Sequence, residues 1–162
     1  MNTYLRSMLV ATGVALSLAA IHVNAAVTVS FTKPDAYTDI GFSSWDKDKV
    51  MKDLSQHFDK LGAQLPQGQD LKIEVLDIDL AGRIEPRFRT TGQDIRVLRG
   101  SADWPVIQLR YSIESAGKVV KSGEARVADM SYLQNYNRYN TGEPLRYEKR
   151  MLDNWFKTVV KE

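Results

Sequence analysis

Between Leu71 and Leu80 the chain reads Leu-Lys-Ile-Glu-Val-Leu-Asp-Ile-Asp-Leu, the strongest strand pattern it contains, and the apolar residues change parity half-way along. Leu71, Ile73 and Val75 share one parity; Leu76, Ile78 and Leu80 share the other. Successive side chains of a strand point to opposite faces, so a regular strand cannot bury both sets on one side. Either a bulge at Val75 and Leu76 re-aims the chain, or each end is covered on a different side. The bulge is the simpler solution.

The neighbouring segments say what covers this strand. Val27 to Thr32 alternates Val27, Val29 and Phe31 with polar residues, a half-buried strand closed by Pro34 and Asp35. A helix follows. Ser43 or Ser44 can cap it, Asp46 and Asp48 suit its positive end, Val50, Leu54, Phe58 and Leu61 form its stripe, and Gly62 and Pro66 stop it. Ile107, Leu109, Tyr111 and Ile113 define a later strand, and Val119, Gly123, Ala125 and Val127 its hairpin partner. Setting Ile113 opposite Val119 and Leu109 opposite Gly123 leaves a loop of Ser115, Ala116 and Gly117, with Gly117 left-handed. Gly123 and Ala125 then leave a shallow place where a helix can approach the sheet. The last helix carries Leu145, Leu152, Trp155, Phe156 and Val159 on its apolar stripe, with Glu143, Glu148, Lys149, Arg150 and Lys157 expected on the wet side. The fold class is α+β: a two-layer sandwich of a mixed, mainly antiparallel sheet with two helices on one face, in the order β-α-β-(irregular)-β-β-α.

The first residues stand outside this scheme. Met1 to Arg6 carries one positive charge and no acid, Met8 to Ile21 is uncharged and apolar, and His22 to Ala26 ends in small residues. That is the order of a secretory signal peptide. Val23 and Ala25 suit cleavage after Ala25, and cleavage one residue later, after Ala26, is close behind. The expected organisation is a signal peptide over 1–25 and one α+β domain over 26–162, located in the periplasm. The apolar run is shorter than the roughly 20 residues that span a bilayer, and Gly13 interrupts it. The chain has no cysteine, which excludes disulfides, thiolate metal sites and a lipidated cysteine after the leader. With 22 basic and 20 acidic residues over the whole chain, and Arg6 lost with the leader, the mature part is near neutral, which argues against nucleic acid as a partner.

Four sets of residues could carry chemistry. Asp77 and Asp79 point to one side of a strand, a spacing open to a carboxylate pair but also to a solvated face paired with Arg110 or Arg126. His57 is the one histidine beyond the leader, expected at a helix boundary with its ring reaching water. Arg83, Arg87, Arg89, Arg96 and Arg99 crowd a turn-rich segment; they suit an anionic ligand, or are balanced by Glu85, Asp94 and Asp103. Tyr132, Tyr136, Tyr139 and Tyr147 lie among asparagines on an irregular loop, which suits a contact surface for sugar or protein, or a lid over the sheet edge. Phosphate-binding glycine loops, a G-x-S-x-G motif and metal-ligand spacings are absent, so no cofactor, metal or catalytic residue is expected.

Four segments together resemble a family of short exported proteobacterial proteins, a domain of unknown function. They are Leu76-Asp-Ile-Asp-Leu-Ala-Gly82, Arg96-Val-Leu-Arg-Gly-Ser-Ala-Asp-Trp-Pro105, Ser122-Gly-Glu-Ala-Arg126 and Tyr147-Glu-Lys-Arg-Met-Leu-Asp-Asn-Trp155. The resemblance covers essentially the whole mature chain and implies a periplasmic setting in a Gram-negative bacterium; it carries over no activity or ligand. The expected function is a non-enzymatic periplasmic binding or accessory protein whose arginine segment and tyrosine loop contact an envelope component or protein partner. The alternative is a small hydrolase or transferase using Asp77 and Asp79.

Overall fold

The computed structural model describes residues 25–85, 95–100 and 102–161. Six strands and two α-helices follow one another among the described residues: β1 (Val27–Phe31), α1 (Ser44–Gly62), β2 (Gln69–Asp79), β3 (Arg83–Glu85), β4 (Ile95–Val97), β5 (Val106–Ser115), β6 (Lys118–Ala128) and α2 (Arg146–Lys161), with a short 3-10 turn at Pro34–Ala36 before α1. The segment expected to be irregular contains the short antiparallel pair β3–β4, with Arg83 opposite Val97. The main sheet has the order β1-β2-β5-β6, with β1 parallel to β2 and the other pairs antiparallel. A parallel pair needs a crossover, and α1 supplies it.

The phase change in β2 is a bulge. Val75 pairs with Leu109 and Asp77 with Gln108, so Leu76 is the extra residue. Leu71, Ile73, Val75 and Ile78 are thereby buried together, and Leu80 beyond the strand joins them. From the neighbouring strands Ile107, Leu109, Ile113 and Val127 join one apolar cluster with Leu54, Phe58 and Leu61 of α1 and Met151, Leu152, Phe156 and Val159 of α2. The other face is wet. There Arg110 reaches Glu124 at 2.9 Å and Glu74 at 3.2 Å across three adjacent strands. Arg110 is therefore committed to those two acids, away from Asp77 and Asp79.

Ser43 caps α1 through a reciprocal pair with Asp46: its Oγ accepts the Asp46 N–H at 3.1 Å, and Asp46 accepts the Ser43 N–H at 3.3 Å. At the other end Gly62 is pressed against Val27, and a Cβ there would collide with that side chain. The β5–β6 register differs from expectation. Leu109 faces Ala125, Tyr111 faces Gly123, and a bulge after Ile113 leaves Ala116-Gly117 as a two-residue turn with φ of 50° and 75°. Gly117 is left-handed as expected, and so is Ala116. The space beside Gly123 is filled by the Tyr111 ring, 3.1 Å from where a Cβ would lie, and Trp155 packs edge-on to that ring at 5.4 Å. Trp155 is half-buried rather than enclosed.

α2 departs most from the helical-wheel expectation. Glu148, Lys149 and Arg150, assigned to the wet side, are 3%, 6% and 5% exposed. The stretch 129–145 lies over the first turns of the helix and takes up its polar side chains. Lys149 pairs with Glu143 at 2.6 Å, and Arg150 donates to Asp129 and to the carbonyls of Tyr132 at 3.3 Å and Tyr136 at 3.2 Å.

Candidate functional site

The residues singled out in the sequence fall into two groups, those the fold has used and those it leaves open. Arg96 is used. From β4 its guanidinium grips both oxygens of Asp39, at 2.8 and 3.1 Å, and reaches the carbonyls of Ala81 and Gly82. Arg99 pairs with Glu85. Arg83 is exposed on β3. Arg87 and Arg89, like Asp94, lie outside the described residues. Asp103 does not balance a guanidinium; it accepts the N–H groups of Arg99 at 2.6 Å and Gly100 at 2.8 Å.

The tyrosines divide the same way. Tyr132 is fully buried, its hydroxyl donating to Asp103 at 3.0 Å, so it offers a partner no surface. Burial and the Asp103 carboxylate push its pKa up to about 12. Tyr139 donates to Asp153 at 2.8 Å, and Tyr147 packs edge-on to Tyr132 at 5.0 Å. Tyr136 alone of the four stands free, 88% exposed.

Asp77 and the histidine are also occupied. Asp77 accepts the Thr38 N–H and hydroxyl, each at 2.8 Å, and so pins the chain before α1 to β2. Around Asp79 the backbone pairs with that of Asp39; burial, then the nearby Asp39 and Asp77 carboxylates, raise the pKa of its side chain. Among the described residues these acids form no set that could hold a metal ion. His57 is buried, not at the boundary. Its Nε2 lies 3.1 Å from the Lys149 carbonyl and 3.2 Å from Asp153 Oδ1, two acceptors, so that nitrogen carries the proton. Asp153 also meets Arg138 at 2.7 Å. The cluster locks α1 to α2 and to the tyrosine loop, and helical spacing gives no hint of it, because its members come from three segments.

Several hollows stay open among the described residues, one of about 400 Å³ between the end of β6 and α2, another of about 320 Å³ on the wet sheet face, and two that meet in a cleft at one end of the sheet. One cavity of about 380 Å³ lies between the start of α1, the β3–β4 pair and Pro144-Leu145, lined by Ile40, Phe42, Val50, Ile84 and Ile95 among others. A second of about 210 Å³ is lined by Ala81, Leu98, Thr141, Arg146, Tyr147 and Glu148. Leu80, Arg96 and Leu145 belong to both walls. Phe42, on the cleft wall, is 73% exposed, and Trp45 one turn on is 69% exposed. In the smaller cavity the Glu148 carboxylate accepts the Ala81 N–H at 2.8 Å, and burial holds its pKa above the usual carboxylate range.

A family model described as a protein of unknown function, DUF3016, matches residues 25–158. The chain belongs to that family. No curated protein and no solved structure matches it. Within the DUF3016 span, the four segments of the resemblance have distinct structural tasks. Leu76–Gly82 carries the bulge and the Ala81 N–H, and Arg96–Pro105 the Arg96 grip and the Asp103 turn. Ser122–Arg126 carries Glu124 of the wet face, and Tyr147–Trp155 the buried polar side chains of α2. No helix among the described residues is long and apolar enough to cross a membrane.

Proposed function

We propose that this protein is a small non-enzymatic binding module exported to the periplasm, and that it takes its ligand in the cleft between α1, the β3–β4 pair and the start of α2. The observation that carries this reading is that two cavities, of about 380 and 210 Å³, share the walls formed by Leu80, Arg96 and Leu145, the larger falling in the size class in which small ligands are bound. The binding role is favoured over catalysis because Asp77 holds the Thr38 N–H and hydroxyl and neither Asp77 nor Asp79 lines the cleft. Export is supported by the leader pattern of the first 25 residues. The Ala26 N–H donates to Asp70 at 2.9 Å and its carbonyl accepts from Leu71. Cleavage after Ala25 would leave a charged amine at that carboxylate.

Two measurements test the reading. Native mass spectrometry of protein recovered from the periplasm is expected to show a bound species that is lost when Ile95→Trp fills the larger cavity. Apo protein in both preparations would remove the cleft as a binding site. N-terminal sequencing is expected to begin at Ala26 or Val27, and an intact leader on soluble cytoplasmic protein would remove the export assignment.

A further inference from the structure

Resting on the cleft as the binding site, we propose that its ligand is an amphipathic monoanion, with an apolar body in the larger cavity and a single carboxylate head held by Arg146 in the smaller one. The case is an account of charge, wall by wall. In the larger cavity every charged side chain is closed on a neighbour. Asp46 caps Ser43, Lys49 meets Asp53 at 3.0 Å, and Arg96 is locked on Asp39. The rest of that lining is largely apolar, with Ile40, Val50, Leu80, Ile84 and Ile95 on different sides. Such a surface favours an uncharged, apolar body.

The smaller cavity differs by one residue. Glu143 is paired with Lys149, and Glu148 bonds the Ala81 N–H. Arg146 has no acidic partner among the described residues. The helix itself denies it one, because positions three and four residues on are Lys149 and Arg150. Its Nε is buried with no acceptor, and its guanidinium lies 5.2 Å from the centre of the Tyr147 ring. Arg150 also has a buried Nε without a partner, but its other nitrogens reach Asp129 and two carbonyls. Buried polar groups left unpaired are costly and uncommon in native structures. A guanidinium fork in a cavity with apolar walls suits a carboxylate, which can accept two parallel hydrogen bonds. The raised pKa of Glu148 favours its uncharged form, which lessens repulsion of an entering anion.

The test uses the purified protein and three probes: dodecanoate, dodecanol and acetate, titrated calorimetrically below their aggregation concentrations. Dodecanoate is expected to bind the parent more tightly than dodecanol, with acetate too weak to detect. Arg146→Gln is expected to weaken dodecanoate about tenfold and leave dodecanol unchanged, and Arg146→Lys to recover part of the loss. Equal affinity for dodecanoate and dodecanol, or no effect of Arg146→Gln in a variant with the parent's melting temperature, overturns the role of Arg146. If those lipophiles remain sensitive to Ile95→Trp, the cleft itself survives that result. No binding of any probe overturns the amphipathic ligand, and the periplasmic mass spectrum then decides the cleft separately.

Discussion

The Tyr132 hydroxyl donates to Asp103 at 3.0 Å, joining the loop before β5 to the loop before α2. Asp103 accepts two backbone N–H groups as well, so the carboxylate organises a turn and a side chain at once. Tyr132→Phe removes one hydrogen bond to a charged acceptor and should cost about 1.5 to 3 kcal/mol in urea denaturation. A midpoint and slope identical to the parent's would show that the bond contributes nothing.

The carboxyls make stability depend on pH in two opposite senses. Burial raises the Glu148 pKa, so the folded state keeps a proton that the unfolded chain releases near pH 4.3. The stability this group provides is present at low pH and is lost as the pH rises from about 4.3 through the folded pKa. For Asp103 and Asp153 burial also pushes upward, but hydrogen bonds and charged neighbours prevail and hold both below the ordinary value. Their stabilisation is present above about pH 3.9 and is lost as the pH falls through their folded pKa. Glu148→Gln should therefore flatten the decline in melting temperature on the alkaline side and leave the acid side unchanged. Parallel curves for parent and variant would contradict the assignment.

Arg150 holds the tyrosine loop by one acid and two carbonyls. Arg150→Met leaves Asp129 without its counter-charge in a mostly buried place, at a cost of about 3 to 5 kcal/mol. Hydrogen exchange should accelerate first over residues 129–137. Uniform loss of protection over the whole domain would instead mean that the loop and α2 unfold as one unit with the sheet.

The β5–β6 turn has two left-handed residues, and only one is glycine. Gly117→Val should cost about 1 kcal/mol or more from backbone strain, since the side chain meets nothing within 4 Å. Ala116→Asn should stabilise by about 0.5 kcal/mol, because asparagine tolerates that conformation better than alanine. Thermal melts of the two variants moving the same way would argue against this turn.

Apolar periodicity made β1, α1, β2 and the β5–β6 hairpin legible in the sequence, down to the bulge after Val75. Periodicity failed at α2. Glu148, Lys149 and Arg150 look like a solvated face because a helical wheel does not know that residues 129–145 will fold over it. The same blindness placed His57 at the surface and Tyr132 in a contact patch, since their acceptors come from Lys149 and Asp103, far away in sequence. The candidate site was less legible still. The arginine cluster points to Arg96, which the fold consumes, whereas Arg146 lies outside that cluster. The available signal was negative: basic residues at both positions where a helix could have supplied it with an acid.

The bulge at Leu76 turns part of β2 into a counting device. Shortening that side chain by Leu76→Ala trims a half-buried surface and leaves the alternation on either side untouched. Deleting the residue does something different in kind. Strict alternation returns with Leu71, Ile73, Val75, Ile78 and Leu80 on the buried face and Asp77 and Asp79 on the wet one, so the strand no longer needs an irregularity; only a bulge-free strand that kept Leu76 would bring the two acids inward. At this position the fold depends less on which amino acid is present than on the bulge that absorbs it, so both the substitution and the deletion should fold, the deletion with a regular β2.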